Sequence, residues 1–427
     1  MEVTIMHRLI LKNVGPIEHC DISIDNLSVL TGTQASGKST IAKSILFFRT
    51  IKDDLMDTII KKNLSGTDFS LINSFQRQLR SKFLQIFGTS RAMNNSLYMK
   101  YEYNSNTFVS ISLQCKRGYD VVSPNFVYFE FSQNINNFIK EQSKANLSDM
   151  FSKNELQEDL NQLFSDDYET IFIPAGRSLI TLLTTQLNYI FTIMDEEQKR
   201  SIDFCTQKYI ERILKIRPAF EHGILGYLDN KKTTSLNRIN YSLFDKCMSL
   251  IDRILKGRYI YVSGEERLEL GSDKYVKINY TSSGQQESVW IFNILMYQLI
   301  NNTKTFLILE EPEAHLFPNA QKDIIDLLSL FMAGGNSVFL TTHSPYILGS
   351  INNLLFANHT AKKYSKESVK NILDPEKFID SCGAYFLENH SLTPCLDDES
   401  NLIKNEVIDE ASHEINELFD KLLEMNL

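Results

Sequence analysis

The sequence lacks the patterns that mark several classes of protein. Its six cysteines lie far apart without a C-x-x-C pair, and its eight histidines show no metal-ligand spacing, so we expect reduced thiols rather than a zinc site or a disulfide framework. The longest apolar run, SVWIFNILMYQLI, is shorter than the roughly 20 residues that a membrane span needs. No apolar leader segment follows the first methionine. We therefore expect a cytoplasmic protein without a membrane segment.

Basic residues are also too few to dominate the surface. The 427 residues carry a formal net charge of −9, which argues against a surface that coats nucleic acid along its whole length but leaves a local basic groove open. Hydrophobic residues make up 43% of the chain, enough to bury the core of one large domain or of two to three smaller ones.

A glycine-containing segment between a strand pattern and a helix pattern predicts a phosphate-binding loop. VLTGTQASGKST fits G-x-x-x-x-G-K-[ST] at every fixed position. Glycine lets the backbone turn tightly, so that successive amide hydrogens point at phosphate oxygens and the next helix adds its positive end. We expect Lys38 to reach the β- and γ-phosphates of ATP and Ser39 to ligate Mg²⁺. The expected ATP-binding residues are Gly32, Thr33, Gln34, Ala35, Ser36, Gly37, Lys38, Ser39 and Thr40.

TFLILEEPEAHLFP predicts the acidic part of the same site, because an apolar strand here ends in two carboxylates. We expect Glu310 to hold Mg²⁺, directly or through water, and Glu311 to polarise the attacking water. The strand pattern SVFLTTHSP ends at His343, for which we expect a catalytic contact with the γ-phosphate. His315 follows the acids and is assigned to a contact with a second subunit rather than to the metal.

The segment SSGQQ, residues 282–286, precedes an apolar helix pattern. Serine is a common first residue of helices, so the segment alone predicts only a helix cap. Serine hydroxyls and a glycine amide at a helix N-terminus also suit an anion. Both interpretations stay open on these residues alone.

The order of these motifs resembles the ATP-binding-cassette class of P-loop ATPases. Six segments are together similar to the overcoming-lysogenization-defect ATPases: LKNVGPIEHCDI, GTQASGKST, IPAGRS, SSGQQE, EEPEAHLFP and TTHSP. That group includes ATPase subunits of anti-phage systems such as Septu, PARIS and some retron effectors, and is more distantly related to RecF-like and SMC-type ATPases. The resemblance implies that two subunits pair head to tail around ATP, each phosphate loop being completed by Ser283, Gly284 and Gln286 of the partner subunit. Gln285 stands where the transporter pattern LSGGQ has glycine, so transporter geometry is not assumed.

Alternating strand and helix patterns predict an α/β fold. LYMKYEYNSNTFVSISLQ and VVSPNFVYFEFS have a period of two and predict an antiparallel section, whereas TFLILE and SVFLTT predict buried parallel strands. The resemblance implies an ABC-type head with an inserted helical arm. The expected division is 1–178 (phosphate-loop lobe with an antiparallel β and helical insertion), 179–256 (helical arm or dimerisation insertion), 257–350 (lobe with signature, acids and His343) and 351–427 (C-terminal α/β extension).

No nuclease site is recognisable after His343. Many relatives carry a Toprim nuclease domain there, which needs a D-x-D pair to hold metal ions, but Asp397 and Asp398 in LDDES are adjacent and predict a solvated turn. We therefore expect the effector to be a separate protein, with nuclease activity as the first expectation. For Arg177 in IPAGRS, a contact with phosphate, a contact with a partner subunit and a surface salt bridge remain alternatives.

The leading functional hypothesis is an ATP-driven switch, a homodimer or a higher oligomer of dimers, which regulates that separate effector in anti-phage defence. The alternative is a RecF- or SMC-like ATPase that binds DNA in repair or chromosome maintenance. A transporter's nucleotide-binding subunit is disfavoured because the signature is altered and the insertions are long.

Overall fold

A computed structural model of the chain describes residues 7–65, 70–117, 122–144, 150–182, 193–195, 202–234, 239–271, 274–404 and 408. The strands are β1 (His7–Val14), β2 (Ile17–Ile24), β3 (Leu27–Gly32), β4 (Tyr98–Asn104), β5 (Thr107–Arg117), β6 (Val122–Phe131), β7 (Glu169–Ile173), β8 (Arg258–Val262), β9 (Glu265–Gly271), β10 (Lys274–Lys277), β11 (Thr305–Glu310), β12 (Ser337–Thr341), β13 (Gly383–Glu388) and β14 (Ser391–Pro394).

The helices surround these strands. They are α1 (Lys38–Arg49), α2 (Ile51–Ser65), α3 (Leu71–Phe87), α4 (Gln133–Gln142), α5 (Met150–Phe164), α6 (Phe204–Ile216), α7 (Gly223–Thr234), α8 (Tyr241–Leu255), α9 (Ser283–Asn301), α10 (Pro318–Ala333), α11 (Pro345–Lys363) and α12 (Lys366–Lys370). Residues 177–182 are also helical. None of the helices in the described ranges is both long and apolar enough to cross a bilayer.

An eleven-stranded mixed sheet forms the centre of the molecule, in the order β6-β5-β4-β1-β2-β14-β13-β3-β12-β11-β7. Strands β7, β11, β12, β3 and β13 pair in parallel, and β2, β1, β4, β5 and β6 pair antiparallel. The predicted α/β class, the antiparallel section and the two parallel strands are therefore confirmed. A separate three-stranded antiparallel sheet has the order β10-β9-β8.

Burial on both faces explains why the central strands have continuous apolar sequences. Every residue of β3, β11 and β12 is buried, whereas β1 and β4 alternate between buried and more exposed positions. Strands covered on both faces need apolar residues at every position. The apolar helix pattern after SSGQQ corresponds to α9, which is largely buried and packs in one core with α6, α7 and α8.

The C-terminal hairpin is part of the main sheet, which the sequence did not predict. Strands β13 and β14 lie between β3 and β2, and a Cβ atom at Gly32 would lie 2.2 Å from the carbonyl oxygen of Leu387. The hairpin therefore packs directly against the first glycine of the predicted phosphate loop. The expected division into four regions stays a prediction, and residues 405–407 and 409–427 of its last region lie outside the described residues.

A buried cluster of charged and polar side chains fixes the C-terminal end of α1. Arg49 donates through Nη2 to Asp166 Oδ1 at 2.8 Å and lies 3.0 Å from His7 Nδ1 through Nη1. The Lys52 ammonium donates to the carbonyls of Asp166 and Tyr168. Arg49 and Asp166 are 4% and 3% exposed. The cluster joins β1, α1, α2 and the segment before β7, so it holds α1 at the end remote from the phosphate loop.

This cluster predicts a pH dependence of stability. Burial, reinforced by the nearby Arg49 charge, lowers the pKa of His7 from 6.5 to about 4. Between these values the unfolded chain binds a proton at His7 that the folded chain does not, so the contribution of His7 to stability is complete above pH 6.5 and is lost as the pH falls towards 4. Glutamine does not titrate. Between pH 6.5 and pH 4 the free energy of unfolding of His7→Gln should therefore fall less than that of the wild type, by up to about 3 kcal/mol. Denaturant unfolding at several pH values measures the difference, and parallel profiles would contradict the account.

Candidate functional site

The predicted phosphate loop joins β3 to α1, as the motif requires. β3 ends at Gly32 and α1 begins at Lys38. Gly37 has φ of 112°, and a Cβ atom there would lie 2.5 Å from Ile17 Cδ1. Only glycine tolerates both this backbone conformation and the closeness of β2. Thr33, Gln34, Ala35 and Ser39 are exposed, so the loop is open to a ligand.

Lys38 lies inside this loop. Its ammonium donates to the carbonyls of Gly32 at 3.0 Å and Thr33 at 2.7 Å, and the residue is 6% exposed. Burial lowers the pKa of Lys38, while the charges of Glu311 and Glu313 oppose that shift. Because β3, β12 and β11 pair in parallel, the phosphate loop after β3 and the acidic segment after β11 lie at the same edge of the sheet, in one site.

Glu310 has the surroundings of a ligand for a hard cation. It is 5% exposed, and burial raises its pKa against hydrogen bonds from the Ser39 side chain and the Ala175 backbone. Its Oε1 atom is buried without a hydrogen-bond partner among the described residues. A carboxylate oxygen beside a hydroxyl is a donor set that suits Mg²⁺, which takes few protein ligands and completes its shell with water and phosphate oxygens. Glu310 and Ser39 therefore fit the predicted metal.

Glu311 and His343 meet at the edge of the sheet. Glu311 Oε1 lies 3.6 Å from His343 Nε2, and both side chains are partly exposed. The backbone of Glu311 has φ of 45°, and its amide donates to the Thr341 carbonyl at 2.9 Å. This unusual conformation turns the chain sharply after β11. The predicted water-polarising acid and the predicted γ-phosphate contact thus face one another.

Glu313 belongs to this group, although the sequence analysis assigned it no role. Its Oε1 atom accepts hydrogen bonds from Thr342 Oγ1 at 2.7 Å and from the His343 amide at 2.8 Å. Its Oε2 atom is buried without a described partner. Glu313 therefore holds the segment that carries His343. The third acid of EEPE was the available signal, but only the fold shows that it faces the segment after β12.

Arg177 is completely buried, which corrects the alternative of a surface salt bridge. Its guanidinium donates to the carbonyls of Pro174 (2.7 Å), Glu310 (2.6 Å) and Glu311 (2.9 Å). It also lies 3.2 Å from the carboxylate of Glu287, and both side chains are at most 2% exposed. Arg177 therefore connects the end of β7, both predicted acids and α9.

The signature segment forms the start of α9. Ser282 caps the helix and exchanges hydrogen bonds with Gln285 in a capping box. A Cβ atom at Gly284 would lie 2.7 Å from the carbonyl oxygen of His315, so the acidic segment's loop packs on the helix start. The His315 side chain is exposed, and its contact with a second subunit stays a prediction.

Of the three residues predicted to act across a dimer, Ser283 is exposed, whereas Gly284 and Gln286 are buried. No hydrogen bond between described residues joins residues 283–284 to residues 32–40. Gln286 differs, because its amide nitrogen donates to the carbonyls of Ile278, Asn279 and Thr281 and the residue is 6% exposed. In this structure Gln286 supports the turn before α9, and its role in a partner's site stays a prediction.

Asp397 Oδ1 accepts hydrogen bonds from the amides of Glu399 and Ser400, so LDDES is a turn, as expected. Within the described ranges, no group of three or more His, Cys, Asp and Glu side chains is arranged to hold a metal ion.

Comparisons with known proteins fit this geometry. The model of the AAA ATPase domain family matches residues 5–348. The lipoprotein-releasing system ATP-binding protein LolD of Neorickettsia sennetsu is 31% identical over 97 residues, which are 22% of this chain and 41% of that protein. The chain thus covers about two fifths of the length of this relative.

Similar solved structures include two heads of SMC proteins. The SmcHead bound to the C-winged helix domain of ScpA has 10% identity and a TM-score of 0.43, with 92% of this chain and 98% of that chain covered. The SMC head domain from Thermotoga maritima has 13% identity and a TM-score of 0.37, with 92% and 99% covered.

The contact between Gly284 and His315 predicts the effect of one added methyl group. Alanine normally stabilises a helix by about 1 kcal/mol relative to glycine. In Gly284→Ala, however, the new methyl group would clash with the backbone carbonyl of His315. We expect a loss of about 1–3 kcal/mol in the free energy of unfolding. Gly349→Ala in α11, where nothing lies within 4 Å of the new atom, is the matched control and should stabilise the protein. Equal gains in thermal denaturation for both variants would contradict the contact.

Proposed function

Because this chain belongs to the AAA ATPase domain family, we propose that it is an ATP-driven switch subunit. Two copies pair head to tail around ATP, and this closure regulates a separate effector, a nuclease, in bacterial anti-phage defence. An ATPase domain of this kind binds ATP and, as a rule, Mg²⁺. The proposal goes beyond the family in three respects: the pairing, the regulated effector and the biological setting.

One observation carries the pairing. The phosphate loop after β3 and the acids after β11 lie at the same edge of the sheet within one subunit, because β3, β12 and β11 pair in parallel. The start of α9, which has the features of a second anion site, is exposed at Ser283 and has no hydrogen bond to that loop among the described residues. An anion site that faces outwards suits the phosphate of a nucleotide held by another subunit.

The proposed chemistry uses this chain's residues in distinct roles. Lys38 and the loop amides bind the phosphates, and Ser39 with Glu310 would hold the magnesium ion, which supplies neutralisation of phosphate charge. Glu311 orients and polarises the attacking water. His343, whose segment is held by Glu313, contacts the γ-phosphate.

The effector part of the proposal is supported by the resemblance of the motif order to subunits of anti-phage systems. The DNA-binding alternative is supported by the basic side chains on α6. Two of these, Lys208 and Arg212, are already paired with Glu211 and Glu169, which reduces the charge available to phosphates. ATP-dependent, salt-sensitive DNA binding by the isolated protein would favour the alternative.

A glutamine in place of Glu311 tests the proposed cycle. In Glu311→Gln the water is no longer polarised by a carboxylate, so ATP should stay bound and the paired state should accumulate. Light scattering in Mg·ATP should then give twice the mass found without nucleotide. Lys38→Ala is the control, which should neither bind ATP nor pair. If Glu311→Gln hydrolyses ATP at the wild-type rate, the assignment of Glu311 is wrong.

A further inference from the structure

A cleft of about 750 Å³ opens beside the phosphate loop, outside the proposed catalytic group of Glu311 and His343. We call it the side cleft. Three segments form its walls: the turn between β1 and β2 at Val14 and Gly15, the first turns of α1 at Ser39, Thr40 and Lys43, and residues 86–97, where α3 ends and the chain leads to β4. The last segment belongs to none of the recognised motifs.

The position of the side cleft follows the expected path of a nucleotide. Lys38 reaches the β- and γ-phosphates in loops of this type, and Glu311 and Glu313, which both contact His343, mark the γ-phosphate end of the predicted site. The α-phosphate and its nucleoside therefore extend away from these acids. Ser39 and Thr40, the residues after Lys38, line the side cleft, so a nucleoside that leaves the phosphate loop on this side enters it.

One aromatic ring lines the side cleft and is held in place from behind. Phe87 is partly buried, and its ring centroid lies 4.9 Å from that of Phe83 and 6.2 Å from that of Phe47. Phe83 and Phe47 are fully buried. A ring fixed in this way offers a base a rigid stacking surface, and a base–aromatic stack contributes substantially to nucleotide binding.

Asn94 gives the side cleft a hydrogen-bond donor of defined orientation. Its Oδ1 atom accepts from the Ser96 amide at 3.0 Å and from Ser96 Oγ at 2.8 Å. Since a backbone amide can only donate, the oxygen and nitrogen of the Asn94 side chain are assigned unambiguously. Asn13 Nδ2 donates to Ser96 Oγ at 2.9 Å, which ties this loop to the β1–β2 turn. The Asn94 amide nitrogen has no partner among the described residues and is available to an acceptor.

We propose that the side cleft binds the nucleoside of the bound nucleotide, with a purine base stacked on Phe87 and with Asn94 donating to an acceptor on its edge. The inference rests on the proposed function, because it presumes a nucleotide on the phosphate loop. It assigns base recognition to residues 86–97, a segment of the insertion rather than of the ATPase motifs.

Calorimetric titration of two ligands tests this inference: Mg·ATP, and magnesium tripolyphosphate, which lacks a nucleoside. In Phe87→Ala we expect ATP to bind at least about tenfold more weakly, as loss of a base–aromatic stack predicts, while tripolyphosphate binds as in the wild type. Phe87→Tyr keeps the ring and should restore ATP binding. Leu84→Ala, on the same helix at a side chain that is 37% exposed and outside the cleft, is the matched control and should bind both ligands normally.

The outcomes separate the two proposals. The side cleft does not hold the base if Phe87→Ala binds ATP as tightly as the wild type. The same conclusion follows if the variant is folded by circular dichroism and its affinities for ATP and tripolyphosphate fall to the same extent. If Phe87→Ala fails to fold, Asn94→Asp takes its place, with ATP again weakened and tripolyphosphate unchanged if the inference holds. If the wild-type protein binds neither ligand, or Lys38→Ala binds both, the proposed function itself fails.

Discussion

The arrangement of the site depends on the hydrogen bonds and the ion pair of the buried Arg177 guanidinium. A charge removed from water is tolerated only when its donors find partners, and here those partners are the carboxylate of Glu287 and the carbonyls at Pro174, Glu310 and Glu311. Loss of one partner of such a buried pair costs about 3–5 kcal/mol. The end of β7, the acidic strand end and α9 are therefore held as one unit.

This connection gives the proposed switch a physical route. The start of α9 carries the exposed Ser283, and Arg177 joins this helix to the backbone of both acids. In the proposed switch, a displacement of α9 is therefore passed on to the residues that are predicted to face the γ-phosphate. A second link leaves the phosphate loop towards the helical insertion. Lys43, one turn after Ser39, pairs with Asp203, whose carboxylate caps α6. The predicted nucleotide contacts at α1 are thus connected to the predicted helical arm.

Much of the fold could be predicted from local patterns. β3, β11 and β12 are buried on both faces and have the apolar runs that such strands need, and the phosphate loop, the acids and His343 follow these strands directly. Their convergence follows from parallel pairing, which brings the carboxyl ends of neighbouring strands to one edge. Features that depend on contacts between distant segments were not predictable. Two examples are the insertion of β13 and β14 into the sheet and the hydrogen bonds of Glu313 with the segment after β12. The hydrogen bonds of Gln286 with carbonyls of its own subunit were not predicted either.

Mixing two inactive variants tests most directly whether the site is shared between subunits. Lys38→Ala removes the phosphate-binding lysine but leaves α9 intact, and Ser283→Arg blocks the start of α9 but leaves the loop intact. If ATP is sandwiched, each mixed pair has one complete site. ATP turnover should then return to roughly a quarter of the wild-type rate, because about half of randomly formed pairs are mixed and each has one of two sites. A mixture no more active than the separate variants would contradict head-to-tail pairing.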